Sequence, residues 1–386
     1  MKKALVILLS LLVVGGVFAQ TVTWTGTFDA AIAMVNRGAD DDPTFGVHAP
    51  SNGAGAARFD LTFAFTNADG NAGATVHWRS TAAGPQDVTS MGLRQAFGWV
   101  RLFDNMLEVR AGRIHSEPHL NNRDGFTGGN FTSGPTGAGR AWGAGVTGVN
   151  AYLFPMDGLV LGFGAWANQS YHPGATWDAG GASLYGGFAY TMPGLLRVNA
   201  AVMTNHLVTD AHAGLQIFGA IPVNTGFRFL NLHEFGDEGE ISGIVGVPLN
   251  NLVDDVQLGF MGTFGHSQDD DADFAWGAGA WVAYTALGNI VPRLDVLLMS
   301  GFNFNWGWGG FQNTFAWTDH PLINYDNDTM FLHFRPAVQI RATSAAWLEL
   351  GAIINIDLGD VATAGGAGDG DDTLTFGIFA GVRVGF

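Results

Sequence analysis

The chain contains no cysteine among its 386 residues. A disulfide framework is therefore excluded, and an exported chain of this length must be held by backbone pairing and packing. Charge is scarce as well, at 13% of residues, against about 25% in an ordinary water-soluble domain. That deficit predicts an outer surface facing something other than water. Lysine occurs only as Lys2 and Lys3, so arginine supplies every other permanent cation. Beyond the first 19 residues there is no run of 18 apolar residues free of charge, which leaves no helical route across a bilayer. Catalytic motifs are missing too. No Gly-x-Ser-x-Gly elbow, no Ser–His arrangement of lipase type and no phosphate-binding loop occurs, and no enzyme activity or cofactor is expected.

What is present in quantity is glycine, with 57 residues, together with 29 phenylalanines and 12 tryptophans. Much of this follows a period of two, which puts one apolar face on a β-strand because successive side chains point to opposite sides. Phe59, Leu61, Phe63 and Phe65 alternate with Arg58, Asp60, Thr62 and Ala64. After a turn at Asn67 to Asn71, Val76 and Trp78 alternate with Thr75, His77 and Arg79. Phe97 and Trp99 are assigned to the next apolar face, with Arg94, Ala96 and Gly98 on the other. Leu107, Val109 and Ala111 then stand opposite Glu108, Arg110 and Gly112. The clearest late pair sets Leu332, Phe334, Val338 and Ile340 against His333, Arg335, Gln339 and Arg341, then Leu348, Leu350, Ile354 and Ile356 against Glu349, Asn355 and Asp357.

The connections alternate in length. Short links fall near 67–71, 103–106, 155–158, 192–194, 221–224, 248–251, 286–292 and 342–345. Longer links rich in Gly, Asn or Asp fall at 35–56, 81–91, 116–140, 169–180, 205–211, 232–239, 266–273, 303–329 and 358–372. This gives about 18 strands by the alternation of short and long connections, or 16 if the weakly patterned stretches at 211–247 and 303–317 are not strands. In water the apolar faces would require a second layer. In lipid they would not, but an open sheet edge would leave backbone groups unpaired at several kcal/mol each, so the sheet must close. The fold class expected is an all-β transmembrane antiparallel up-and-down barrel, one domain over 20–386.

The termini point to the same environment. Lys2 and Lys3 precede an apolar run from Ala4 to Val14, with small residues Val17 and Ala19 ahead of Gln20. Residues 1–19 thus read as a secretory signal peptide. Its removal takes the formal charge from −17 to −19, which argues against a nucleic-acid partner. At the other end Leu374, Phe376, Ile378, Ala380, Val382, Val384 and Phe386 alternate to the final residue. Gly381, Val384 and Phe386 stand where the C-terminal assembly signal of bacterial outer-membrane barrels has its glycine, hydrophobic residue and terminal aromatic, and in this the chain resembles that family. Phe379 occupies a position that is usually polar in the signal. The resemblance implies an integral outer-membrane location in a Gram-negative-type envelope. It also implies dealings with periplasmic chaperones and the barrel assembly machinery, and contact with outer-membrane lipid.

Within such a barrel the chemistry lies in the lumen. Arg58, Arg79, Arg94 and Arg110 take the parity opposite the assigned apolar faces, and Arg113 follows before the long loop. Inward charge meets water, whereas on the lipid face it would cost about 2–4 kcal/mol at mid-depth. Two readings stand open: a basic ladder that attracts anions, or arginines that pair with Asp60 and Glu108 and brace the wall. The segment Leu107 to Pro118, LEVRAGRIHSEP, resembles the porin strand that ends in a Gly-Arg or Gly-Lys pair before a long loop. The resemblance implies a loop at 116–140 folding inward as a constriction, and adds Arg140 to Arg94, Arg110 and Arg113 as positions facing it. His115, Glu117 and His119 lack a metal-site pattern, and the acidic runs 40–42, 269–273 and 369–372 lack EF-hand spacing, so they are read as solvated loop tips. The function expected is passive diffusion of small hydrophilic solutes through a porin-like channel, as a monomer or a homo-oligomer. The alternative is a closed barrel acting at the cell surface, as an adhesion or structural protein, through its acidic loops.

Overall fold

The computed structural model describes residues 19–36, 44–48, 58–81, 90–114, 146–167, 182–204, 209–230, 240–249, 253–267, 275–300, 329–360 and 374–386. The first 18 residues lie outside these, as do the loop at 116–140 and the three acidic runs. All the regular structure described is β. The segments are β1 (Ala19–Asn36), β2 (Thr44–His48), β3 (Arg58–Asn67), β4 (Ala72–Thr81), β5 (Ser90–Leu102), β6 (Leu107–Ile114) and β7 (Val146–Met156). They continue with β8 (Leu159–Ala167), β9 (Ala182–Met192), β10 (Leu196–Thr204), β11 (Thr209–Ile217), β12 (Val223–Leu230) and β13 (Glu240–Pro248). The last are β14 (Val256–Ser267), β15 (Ala275–Tyr284), β16 (Ile290–Ser300), β17 (Thr329–Arg341), β18 (Ala346–Asp360) and β19 (Leu374–Gly385).

Every pairing between neighbours is antiparallel. Strand β1 is long enough to be met on one flank by two segments in turn, β3 along Ala19–Asp29 and β2 along Ala31–Val35. Together β2 and β3 fill one position, so the 19 segments make an 18-strand wall. The sequence assigned 44–48 to a loop. Its own short alternation, Phe45 and Val47 against Thr44, Gly46 and His48, is enough to extend the sheet against the upper half of β1. The weakly patterned stretch at 211–247 supplies β11, β12 and β13 and thereby settles 18 over 16.

Closure comes from β19 on the free flank of β1, with Thr27 opposite Gly385 and Asn36 opposite Phe376. The seam ends in two reciprocal bonds: Gly26 N–H donates to Phe386 O at 2.8 Å and Phe386 N–H to Gly26 O at 2.9 Å. The ring of pairings from β1 through β3 to β19 and back to β1 is thus complete, as a lipid-facing sheet requires. The Phe386 ring lies where a side chain on Gly26 would be, between Trp24 at 5.6 Å and Phe59 at 6.2 Å.

The pattern of exposure shows which side is which. Trp24 (58%), Phe163 (51%) and Leu350 (43%) are exposed, while Glu349 (0%), Glu108 (1%) and Gln339 (1%) are buried. A water-soluble protein distributes these residue types the other way round. A wall between hydrocarbon and a polar interior requires this inversion. The short connections, at 68–71, 103–106, 157–158, 193–195, 218–222, 285–289 and 342–345, lie at the end of the wall where Phe386 closes the seam.

One parity differs from the sequence reading. Arg94 is an extra residue in β5, because His77 pairs with Gln95 while Trp78 pairs with Leu93. A bulge of one residue reverses the alternation beyond it. Leu93 faces out, but Gln95, Phe97, Trp99 and Arg101 face the lumen. Phe97 and Trp99 are therefore not on the lipid face.

Candidate pore lining

From β16 around through β1 to β6 the inner surface is a charged wall. On β3, Asp60 is directly opposite Arg79 of β4. It accepts a bond from Arg79 Nε at 2.5 Å and lies 2.8 Å from His77 Nε2. At the short-turn end of β6, buried Glu108 accepts from Arg101 Nε at 2.8 Å and Arg110 Nε at 2.6 Å. Both guanidiniums are also held by rings, Arg101 over Trp99 at 4.9 Å and Arg110 over Phe97 and Tyr152, each at 5.3 Å. Such stacking fixes a guanidinium against the wall.

The larger network spans four strands. Asp295 on β16 takes Arg293 Nε at 2.9 Å and Arg335 Nη1 of β17 at 3.2 Å. Arg335 also donates to Glu349 of β18, and Gln339 Nε2 donates to Glu349 at 2.7 Å. Arg341 Nη2 extends the chain to Gln339 Oε1 at 3.0 Å. Arg335 lies over Phe379 at 5.2 Å and Arg383 over Trp347 at 5.1 Å. Phe379, the departure from the terminal signal, thus faces inward and supports a guanidinium. Charge-assisted bonds of this kind are stronger than neutral ones, and each carboxylate is shared by two or more donors.

The opposite wall is aromatic and amide-rich. Trp166 Nε1 donates to Asn150 Oδ1 at 2.7 Å, Asn150 Nδ2 donates to Tyr152 Oη at 3.1 Å, and the Trp166 and Tyr185 rings stack at 4.6 Å. The lumen thus carries bulky inward rings. A recurring arrangement keeps bulk against the wall: six inward aromatic residues sit opposite inward glycines on the next strand. The pairs are Trp99 with Gly73, Phe97 with Gly112, Trp166 with Gly148, Tyr185 with Gly164, Trp281 with Gly259 and Phe379 with Gly351. In five of these a Cβ on the glycine would overlap the ring of its partner, while at Gly112 it would meet the backbone and Cβ of Phe97. Those five rings lie where side chains are absent.

Of the residues singled out from sequence, Arg79, Glu108 and Arg110 are brought to the inner wall with the partners just described. Arg58 is opposite Asp29 on an inward row and Arg94 occupies the bulge, the side chains of both lying outside those described. Arg140, like His115, Glu117 and His119, lies outside the described residues. Arg113 requires correction. It shares the outward row with Val109 and Ala111, is exposed, and is paired with Ala96 and Thr147. The network of Arg293, Asp295 and Arg335 is not among the sites read from the sequence, which places Arg335 alone of the three on a polar row. Among the described residues no cluster of three metal-ligating side chains occurs.

An 18-strand antiparallel wall with an apolar exterior and a polar, charged interior decides the class of fold. The barrel has the fold of the outer-membrane porins. No known protein family matches the sequence and no curated protein does. Solved structures do. The outer membrane protein OprD from Pseudomonas aeruginosa superposes with a TM-score of 0.55 at 9% identity, over 96% of this chain and 95% of that one. OccAB1 from Acinetobacter baumannii gives 0.54 at 10% identity, over 96% and 98%, and OccK8 (OprE) from Pseudomonas aeruginosa gives 0.53 at 8%, over 96% and 99%. At these identities the likeness is one of fold, and it extends over nearly the whole porin-fold chain.

Proposed function

We propose that this barrel is an outer-membrane channel through which small hydrophilic solutes diffuse passively. The observation that carries the reading is the inverted wall, with buried carboxylates and guanidiniums inside and exposed aromatic and aliphatic side chains outside. The porin fold supports it. Arg79, Glu108 and Arg110, with Arg58, Arg94 and Arg140, are the proposed lining, and the loop at 116–140 the proposed constriction. Among strand residues whose side chains are described, inward arginines outnumber inward carboxylates: Arg79, Arg101, Arg110, Arg197, Arg293, Arg335, Arg341 and Arg383 against Asp60, Glu108, Asp295 and Glu349. The pairing supports bracing and the surplus supports a net positive field, so the two roles coexist on one wall.

The test is single-channel recording of the purified protein in planar bilayers. Stepwise conductance is expected, and replacing Arg94 and Arg110 together by alanine should move the zero-current potential in a salt gradient toward cations. An absence of shift would leave the arginines as bracing alone. The inward aromatics favour a second reading, a closed barrel that acts at the surface through its loops. Folded protein that inserts and never conducts would establish it over the channel.

A further inference from the structure

We propose that Arg113 is a binding point on the outer wall for the phosphate of a lipid headgroup. Among the strand residues with described side chains it is the one permanent charge on an outward row; every other charged side chain, from Asp60 to Arg383, faces in. Its outward position is fixed on both sides of it in sequence. Ile114 and Gly112 take the inward parity, Ile114 being 1% exposed and Gly112 lying against Phe97, whereas Ala111 and Arg113 are exposed. The strands offer it no counter-charge. Its cross-strand neighbours are Ala96 and Thr147, and no ion pair to Arg113 occurs among the described residues.

A guanidinium is a permanent charge. On the lipid face it would cost about 2–4 kcal/mol at the midplane and about 0–1 kcal/mol at the interface. Arg113 stands six residues beyond Leu107 and one before the end of β6. At about 3.3 Å per residue and a tilt of about 40°, it is roughly 15 Å above Leu107, within an apolar band about 25 Å tall. An arginine stem that extends along the wall moves the charge several Å closer to the headgroup level on the loop side. The stem has a clear lane, because Ala96, Gly98, Ala111 and Thr147 beside it are small. At that level the abundant anion is lipid phosphate, whose geometry suits a bidentate guanidinium contact. A protein otherwise strongly acidic would gain one attachment to an anionic leaflet.

Native mass spectrometry of the detergent-purified full chain tests this. The probes are phosphatidylglycerol and phosphatidylcholine with the same acyl chains, each added to the wild type, Arg113→Gln and Arg113→Lys. Heat-modifiable gel mobility confirms that each variant is folded. The wild type should retain phosphatidylglycerol at least threefold over phosphatidylcholine and Arg113→Gln should lose that preference, with Arg113→Lys keeping part of it. Millimolar inorganic phosphate should leave retention unchanged. Equal retention by folded wild type and Arg113→Gln would overturn the proposal. So would displacement by inorganic phosphate, or a change in oligomeric state as the sole effect of Arg113→Gln, which would assign the residue to a contact between copies.

Discussion

Glu349 illustrates how single residues hold the inner wall. It is fully buried and receives Arg335 and Gln339, while Arg335 is itself shared with Asp295. Removing one partner from a buried pair leaves the other charge uncompensated, a loss of about 3–5 kcal/mol. Glu349→Ala is therefore expected to lower the urea midpoint of the detergent-solubilised barrel substantially. Glu349→Gln retains shape and one acceptor and should fall between. The outward row provides the control: Leu350→Ala should change the midpoint far less in detergent, because Leu350 has no such network to lose. Equal effects at 349 and 350 would remove the network from any account of stability. The parity of these residues was legible in the sequence, since Leu348 and Leu350 flank Glu349 and Ile354 and Ile356 flank Asn355. Their partners were not, because Asp295 and Arg335 are 40 positions apart and meet only when β16 and β17 pair.

The terminal strand shows what an element contributes beyond its residues. Leu374 to Phe386 alternates throughout, and its apolar face was readable. What the strand joins is a different question, answered by Gly26. The two backbone bonds that end the seam are made there, and the Phe386 ring occupies the space its missing side chain leaves. Gly26→Val should displace the ring and weaken closure, as should deletion of Phe386. Both are expected to reduce the heat-modifiable folded fraction in outer-membrane extracts while export to the periplasm continues, measured by fractionation and gel mobility. Normal folding of both variants would show that closure does not depend on this contact. Strand β5 carries the opposite lesson. Its bulge at Arg94 has no signal in the alternation of the strand itself, so Phe97 and Trp99 were assigned to lipid when they in fact hold Arg110 and Arg101 in the lumen.

For the whole molecule, the central question is how much of the interior stays open. Inward rings would obstruct a lumen if they pointed across it. Trp99, Trp166, Tyr185, Trp281 and Phe379 instead lie on a glycine of the next strand, a use of glycine that also relieves a sheet bent into a cylinder. Gly259→Val and Gly164→Val should push Trp281 and Tyr185 off the wall. The expected result is a lower single-channel conductance in folded protein, additive for the double variant because the sites lie on well-separated strands. Unchanged conductance in both would mean that these rings do not border the conducting path.

The sequence by itself determined the class of molecule: a period of two, alternating short and long links, scarce charge and an aromatic end lead to a closed lipid-facing sheet of about 18 strands. These are local properties, since a strand's two faces follow from consecutive backbone bonds. The three-dimensional structure alone decided that β2 and β3 share one place, that a bulge turns Phe97 and Trp99 inward, that Arg113 faces out, and that inward arginines are tied to Asp60, Glu108, Asp295 and Glu349. Those facts depend on register between strands, which is set by the fit of side chains far apart in the chain and leaves no mark on either strand taken singly.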